Sequence, residues 1–133
     1  MEKSVSYLKK QRRNTVQILY KVSLLNEQID KIKQELLDNT QFEEINDDLS
    51  AYITNVLNQF DDLKQELKKY IPSNWSWERL PNMIKAILIS SAFEIINNIN
   101  PKGIVINESL DMVREFLPSW DTNFVNAILD KLN

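Results

Sequence analysis

The 133-residue chain is 43% hydrophobic, has a formal net charge of -3, and is long enough for one domain with its own core. With one glycine and four prolines, it favours helices joined by short loops over sheets joined by hairpins. Because it contains neither cysteine nor histidine, disulfides, the usual zinc sites and the common catalytic nucleophile pairs are excluded, and we expect neither an enzyme nor a metal or cofactor.

The first half of the chain is predicted to form three or four helices. Apolar residues recur at three- and four-residue spacing over Val5–Leu25, which is typical of an amphipathic helix. A short helix over Asn26–Asn39 follows, with Asn26 as its N-cap. The expected buried residues of that helix are Ile29, Ile32, Leu36 and Leu37. Over Leu49–Tyr70 the spacing indicates either one long helix or two helices that separate near Asp61 and Asp62.

The second half is predicted to form three more helices. Residues Met83–Ile96 are apolar on nearly all sides, which places this helix at the centre of the fold. Pro118 ends a helix over Val105–Phe116, and Ser119 or Asp121 caps the last helix. The residues of the last helix expected to face inward are Phe124, Val125, Ile128, Leu129 and Leu132.

Together these elements predict an all-α, single-domain bundle of six or seven helices over residues 1–133. The turn near residues 72–76 suggests two subbundles, 1–71 and 75–133, and we expect Trp75 and Trp77 to pack at the seam between them. The amino terminus is charged where a signal peptide is apolar, and Ile84–Ile96 is shorter than the about twenty residues that span a bilayer. We therefore expect a cytoplasmic protein without a membrane segment.

Charge is distributed unevenly along the sequence. Residues 1–25 contain six Lys or Arg and one acidic residue, whereas the rest of the chain contains ten basic and eighteen acidic residues. Four cations lie close together in the first helix: Lys9, Lys10, Arg12 and Arg13. Such a cluster neutralises phosphates, and arginine also stacks on bases, so the pattern predicts an RNA site. A merely solvated helix face has the same composition, and that alternative stays open.

Several segments carry a resemblance to a known family. RLPNMIKAILISSAFEI, PKGIVINESLDMVREF and NFVNAILDKL follow one another in the last third, and KKQRRNTVQILY lies near the amino end. In order and spacing these segments resemble the signature of the NusB family. The departures include Arg13 in place of an acidic residue, Ile89 in place of an arginine, and Ala127 in place of a glycine.

The resemblance implies an all-helical fold of two small bundles and two kinds of ligand. One is a single-stranded, boxA-like RNA, and the other is a ribosomal protein of the NusE type, both acting in the transcription elongation complex. Phe116 and Phe124 match positions close to the RNA in the family, which implies stacking on bases beside the basic cluster. The alternative is that these two phenylalanines only pack in the core. Tyr20 matches a position that faces the protein partner, and Glu78 is expected to complement a basic partner.

The sequence therefore predicts a non-catalytic transcription antitermination factor that binds RNA and protein. The alternative is a protein-interaction module with the same fold that has lost RNA binding, which would agree with the overall negative charge.

Overall fold

The computed structural model describes residues 4–38 and 47–133. The α-helices in these ranges are α1 (Val5–Leu24), α2 (Ile29–Leu37), α3 (Asp47–Asn58), α4 (Phe60–Lys68), α5 (Asn82–Ile96), α6 (Lys102–Phe116) and α7 (Thr122–Asp130). A short 3-10 turn, Trp77–Arg79, lies between α4 and α5. The described residues thus form seven helices and no strand, which confirms the predicted all-α class.

Helix α5 lies at the centre of the bundle, as its apolar circumference predicts. It contacts α1, α3, α4, α6 and α7, and eleven of its fifteen residues are buried. A helix can bury this much of its surface only where neighbours surround it, because each neighbour covers one face. Within the described ranges, no helix is both long enough and apolar enough to cross a membrane.

Helix α1 packs its apolar face against α5, and three polar residues, Gln11, Arg12 and Thr15, are buried with it. The buried apolar residues of α1 are Val16, Ile18, Leu19 and Val22. The side chain of Ser4 caps the helix by accepting a hydrogen bond from the Tyr7 backbone N–H at 3.1 Å. The cap fixes the first turn of α1, so the basic residues that follow lie on a regular helix.

The apolar pattern between residues 49 and 70 belongs to two helices rather than one. Helix α3 ends at Asn58 and α4 begins at Phe60, with Gln59 between them. The side chain of Gln59 accepts a hydrogen bond from Asn97 Nδ2 at 2.9 Å, which ties the break to the end of α5. Asp61 and Asp62 lie in the first turn of α4, where the helix dipole favours carboxylates, so the break comes just before the predicted position.

Helix α2 is shorter than predicted, and Asn26 does not cap it. Asn26 and Glu27 both have positive φ, 55° and 62°, and form the turn that ends α1. Glu27 then holds this turn to the bundle, since its carboxylate accepts hydrogen bonds from Lys64 Nζ at 2.9 Å and Trp77 Nε1 at 3.4 Å. The predicted burial of Leu37 is wrong because this side chain is 72% exposed, and the predicted end at Asn39 lies outside the described residues.

The last helix was predicted to have Ser119 or Asp121 as its N-cap, and in the structure the N-cap is Asp121. Its carboxylate accepts a hydrogen bond from the Asn123 backbone N–H at 2.9 Å. We expect Asp121→Ala to lower the free energy of unfolding by about 1 kcal/mol, because an uncapped helix leaves a backbone donor without its partner. Chemical denaturation followed by circular dichroism measures this change. Ser119→Ala, at an exposed position, is the matched control, and equal losses in the two variants would contradict the assignment.

Candidate nucleic-acid interface

Two of the four clustered cations connect α1 to α6 through ion pairs. Lys9 Nζ lies 2.9 Å from Glu108 Oε1, and Arg13 Nη2 lies 2.8 Å from Glu115 Oε2. Lys9 and Arg13 are one helical turn apart and Glu108 and Glu115 are two turns apart, so each pair of residues faces one side of its helix. The result is a row of alternating charges along the α1–α6 edge of the molecule.

Arg12 has a different environment from its neighbours, because it points into the protein toward α5. It is only 4% exposed, and its Nε and Nη2 donate to the two carboxylate oxygens of Glu94 at 2.9 and 3.0 Å. Asn100 Nδ2 donates to the same carboxylate at 2.7 Å, which connects the pair to the loop before α6. With its guanidinium turned inward, Arg12 is poorly placed for the direct RNA contact that the sequence predicts.

Tyr52 of α3 lies beside this buried pair. Burial raises the pKa of the Tyr52 hydroxyl well above its usual value, and the negative charge of Glu94 raises it further, while Arg12 partly opposes the shift. The Tyr52 ring also packs edge-to-face on Phe93, with 5.3 Å between the ring centroids. Tyr52 therefore stays protonated at neutral pH, and the charges in this part of the interior are those of Arg12 and Glu94.

The remaining predicted RNA residues lie on three different helices. Lys10 is exposed on α1. Phe116 is the last residue of α6, next to Glu115, and packs partly buried against the core. Phe124 is on α7 and is also partly buried. The structure thus brings Lys9 and Arg13 against α6, whereas Phe124 belongs to a separate aromatic cluster.

That cluster consists of Trp75, Trp120 and Phe124, which come from three separate segments. Their ring centroids are 5.4 to 5.8 Å apart and each pair meets edge-to-face. The guanidinium carbon of Arg79 lies 5.3 Å from the centroid of the Trp75 ring. Trp77, by contrast, is only 2% exposed, and its indole N–H donates to Glu27 in the turn after α1.

The two residues predicted to contact a protein partner lie on different elements. Tyr20 is near the end of α1 and packs partly buried against the core. Glu78 is exposed on the 3-10 turn, and a hydrogen bond involving its own backbone lowers the pKa of its carboxyl group. Glu78 is therefore a persistent negative charge at the surface.

Sequence reasoning from the cations alone misses the carboxylates that pair with them. Glu94, Glu108 and Glu115 are close to Arg12, Lys9 and Arg13 only because the helices pack in this register. Among the residues that the structure describes, no group of three or more acidic side chains converges as a metal site would require.

Comparison with known proteins agrees with this architecture. A model of the NusB family matches residues 9–133. The transcription antitermination protein NusB of Alcanivorax borkumensis is 31% identical over 126 residues, which cover 93% of this chain and 83% of that protein. The protein of the same name from Wolinella succinogenes is 26% identical over 122 residues, covering 91% and 90%. The Lactococcus lactis protein of that name is 32% identical over 107 residues, and the match spans 71% of this chain but 56% of that relative.

Proposed function

The chain belongs to the NusB family, and on this premise we propose that it is a non-catalytic transcription antitermination factor that binds RNA and protein. The RNA in this proposal is single-stranded and boxA-like. The protein partner is a ribosomal protein of the NusE type. Both ligands act together in the cytoplasmic transcription elongation complex.

The observation that supports RNA binding is the partial exposure of the ion pairs on the α1–α6 edge. The side chains of Lys9 and Arg13 are 42% and 28% exposed, so solvent reaches both cations. Ion pairs of this kind contribute roughly 0 to 1 kcal/mol, because water screens them. A phosphate that contacts the same cations also releases counterions from the nucleic acid, which favours RNA over the resident carboxylates.

In this proposal the four clustered cations have different roles. Lys9, Lys10 and Arg13 contact phosphates, whereas Arg12 fixes α1 against α5 and so positions the other three. Phe116, the last residue of α6, is assigned to base stacking in this proposal. Phosphate contacts of this kind set the register of the RNA, and contacts to bases supply sequence preference.

The protein-binding half assigns Tyr20 and Glu78 to the partner surface. Tyr20 offers a partly buried ring with a polar end, which suits a protein interface. Glu78 supplies a negative charge for a basic ribosomal protein. If both ligands favour the same arrangement of the factor, each raises the affinity for the other.

A second candidate function is a protein-interaction module that does not bind RNA. The observation that favours it is that Lys9, Arg12 and Arg13 each have a carboxylate partner within the chain. In that case α1 would be held by internal ion pairs, and only the partner surface would act.

Fluorescence anisotropy with a labelled boxA-type single strand distinguishes the two candidates. The full chain should bind this RNA more tightly than a scrambled strand of equal composition, and a NusE-type protein should tighten binding further. RNA binding that is absent with and without the partner, together with retention of that partner in a pull-down, would establish the second candidate instead.

The carboxylates of α6 are expected to weaken RNA binding. Because Glu108 and Glu115 compete with phosphates for Lys9 and Arg13, the double variant Glu108→Gln plus Glu115→Gln should tighten binding by about two- to fivefold at low salt. Asp62→Asn plus Glu66→Gln makes the same charge change on α4 and is the matched control. Equal tightening in both variants would show an effect of net charge rather than of these two ion pairs.

A further inference from the structure

The buried polar side chains belong to only three of the helices. In the part of the chain that the structure describes, α2, α3, α4 and α7 bury apolar residues alone. Helices α1, α5 and α6 bury seven polar or charged residues, which we call the polar layer: Gln11, Arg12, Thr15, Ser90, Ser91, Glu94 and Ser109. The polar layer therefore lies beneath the α1–α6 edge, among the three helices that form and support it.

Polar contacts connect these three helices in every pairwise combination. Arg12 of α1 donates two hydrogen bonds to Glu94 of α5. One turn away on α5, the hydroxyl of Ser91 contacts the hydroxyl of Ser109 on α6. The partly exposed ion pairs of the edge connect α1 to α6. A shift of any one of the three helices would therefore disturb contacts to both of the others.

Contacts of this kind restrict the rotation of α1 more than apolar packing does. The hydrophobic effect has no preferred direction, whereas a hydrogen bond weakens steeply when its angle changes. Arg12 lies within one helical turn of Lys9 and Arg13, so a rotation of α1 that broke the bonds to Glu94 would also turn those two cations. The polar layer thus determines the direction in which Lys9 and Arg13 point.

The polar layer is not the arrangement that gives these helices the highest stability. A buried ion pair loses hydration, and apolar residues of similar volume are often equally or more stabilising. Gln11 Nε2 is also buried, and it has no acceptor among residues 4–38 and 47–133, which is unfavourable for a buried donor. The contribution of the polar layer is therefore to geometry rather than to stability.

We propose that the polar layer fixes the register of α1 against α5 and α6 and thereby raises the affinity of the α1–α6 edge for RNA. This inference rests on the proposed function, in which Lys9 and Arg13 contact phosphates. It adds Glu94, Ser91 and Ser109 as positioning residues that do not touch RNA. Cations that are already held in place lose less conformational freedom on binding, so less of the binding free energy is spent on ordering them.

An apolar version of the layer separates positioning from stability. This apolar variant of the full chain carries four substitutions: Arg12→Met, Glu94→Leu, Ser91→Ala and Ser109→Ala. It should unfold at a urea concentration close to that of the wild type, because both partners of each contact are replaced. It should nevertheless bind boxA-type single-stranded RNA about fivefold more weakly, although the cations of the edge are unchanged. If the apolar variant does not fold, Ser91→Ala plus Ser109→Ala alone should weaken binding in the same direction.

Spin labels measure the register of α1 in the absence of RNA. Because the chain contains no cysteine, Gln17→Cys on α1 and Asn107→Cys on α6 would carry the only two labels, both at exposed positions. Electron paramagnetic resonance should give one narrow distribution of distances between the labels in the wild-type background and a broader or shifted one in the apolar variant. Gln59→Ala, which breaks a hydrogen bond outside the polar layer, is the control and should change neither the distances nor the RNA affinity.

The two measurements separate this inference from the function on which it rests. If the wild type binds RNA and the apolar variant keeps the same label distances, the positioning role is rejected and the proposed function stands. If the distances broaden but the RNA affinity is unchanged, the register of α1 does not govern binding, and the inference is again rejected. If the affinity falls only in variants that also lose stability, the polar layer has a merely structural role. If the wild type binds no RNA, both proposals are overturned.

Discussion

Arg12→Ala is expected to lower the free energy of unfolding by about 3 to 5 kcal/mol, which is a large part of the stability of a small domain. The guanidinium of Arg12 is the charged partner of Glu94, whose side chain is only 3% exposed. Without Arg12, Glu94 retains the neutral hydrogen bond from Asn100 but has lost its countercharge in the interior. Urea denaturation followed by circular dichroism measures the loss.

Two further variants show whether the loss of stability in Arg12→Ala comes from the unpaired buried charge of Glu94. Glu115→Ala breaks a partly exposed ion pair and should lower stability by less than about 1 kcal/mol. Arg12→Met plus Glu94→Leu removes both buried charges, so it should recover much of the stability that Arg12→Ala loses. If Arg12→Ala is within about 1 kcal/mol of the wild type, Arg12 does not fix α1 against α5 in the way the geometry indicates.

Lys9→Ala plus Arg13→Ala is expected to weaken the binding of boxA-type RNA on the order of tenfold, because it removes two phosphate contacts and the counterion release that accompanies them. The same variant should lose little stability, since both ion pairs are partly exposed. Fluorescence anisotropy with a labelled strand gives the affinity, and denaturation gives the stability.

The control for this variant removes two cations from a different helix. Lys31→Ala plus Lys33→Ala, on α2, makes the same change in net charge away from the α1–α6 edge. It should weaken RNA binding much less. Equal weakening by the two variants would mean that the RNA responds to total charge rather than to this edge of the molecule.

The helices could be predicted from the sequence because amphipathic periodicity is a local property. The positions of α1 and α5, and the central place of α5, follow directly from where apolar residues recur. The boundaries of α2 could not be predicted in the same way. They depend on the left-handed turn at Asn26 and Glu27, and that turn is held by Lys64 and Trp77, which are distant in sequence.

The candidate site was only partly predictable for a similar reason. The basic cluster is visible in the sequence, but which cation faces inward depends on how α1 is rotated against α5. Arg12 differs from Arg13 because its side chain meets Glu94, and neither helix alone contains that information. Likewise, the meeting of Trp75 with Trp120 depends on how separate segments fold together.

The most direct test of the central claim, that the cations of α1 bind phosphates, is the salt dependence of RNA affinity. For the wild type, the logarithm of the affinity should fall linearly with the logarithm of salt concentration. In Lys9→Ala plus Arg13→Ala the slope should be shallower by about 1.4, since each phosphate contact on a single strand contributes about 0.7. An unchanged slope, or RNA binding that does not depend on salt, would contradict the claim.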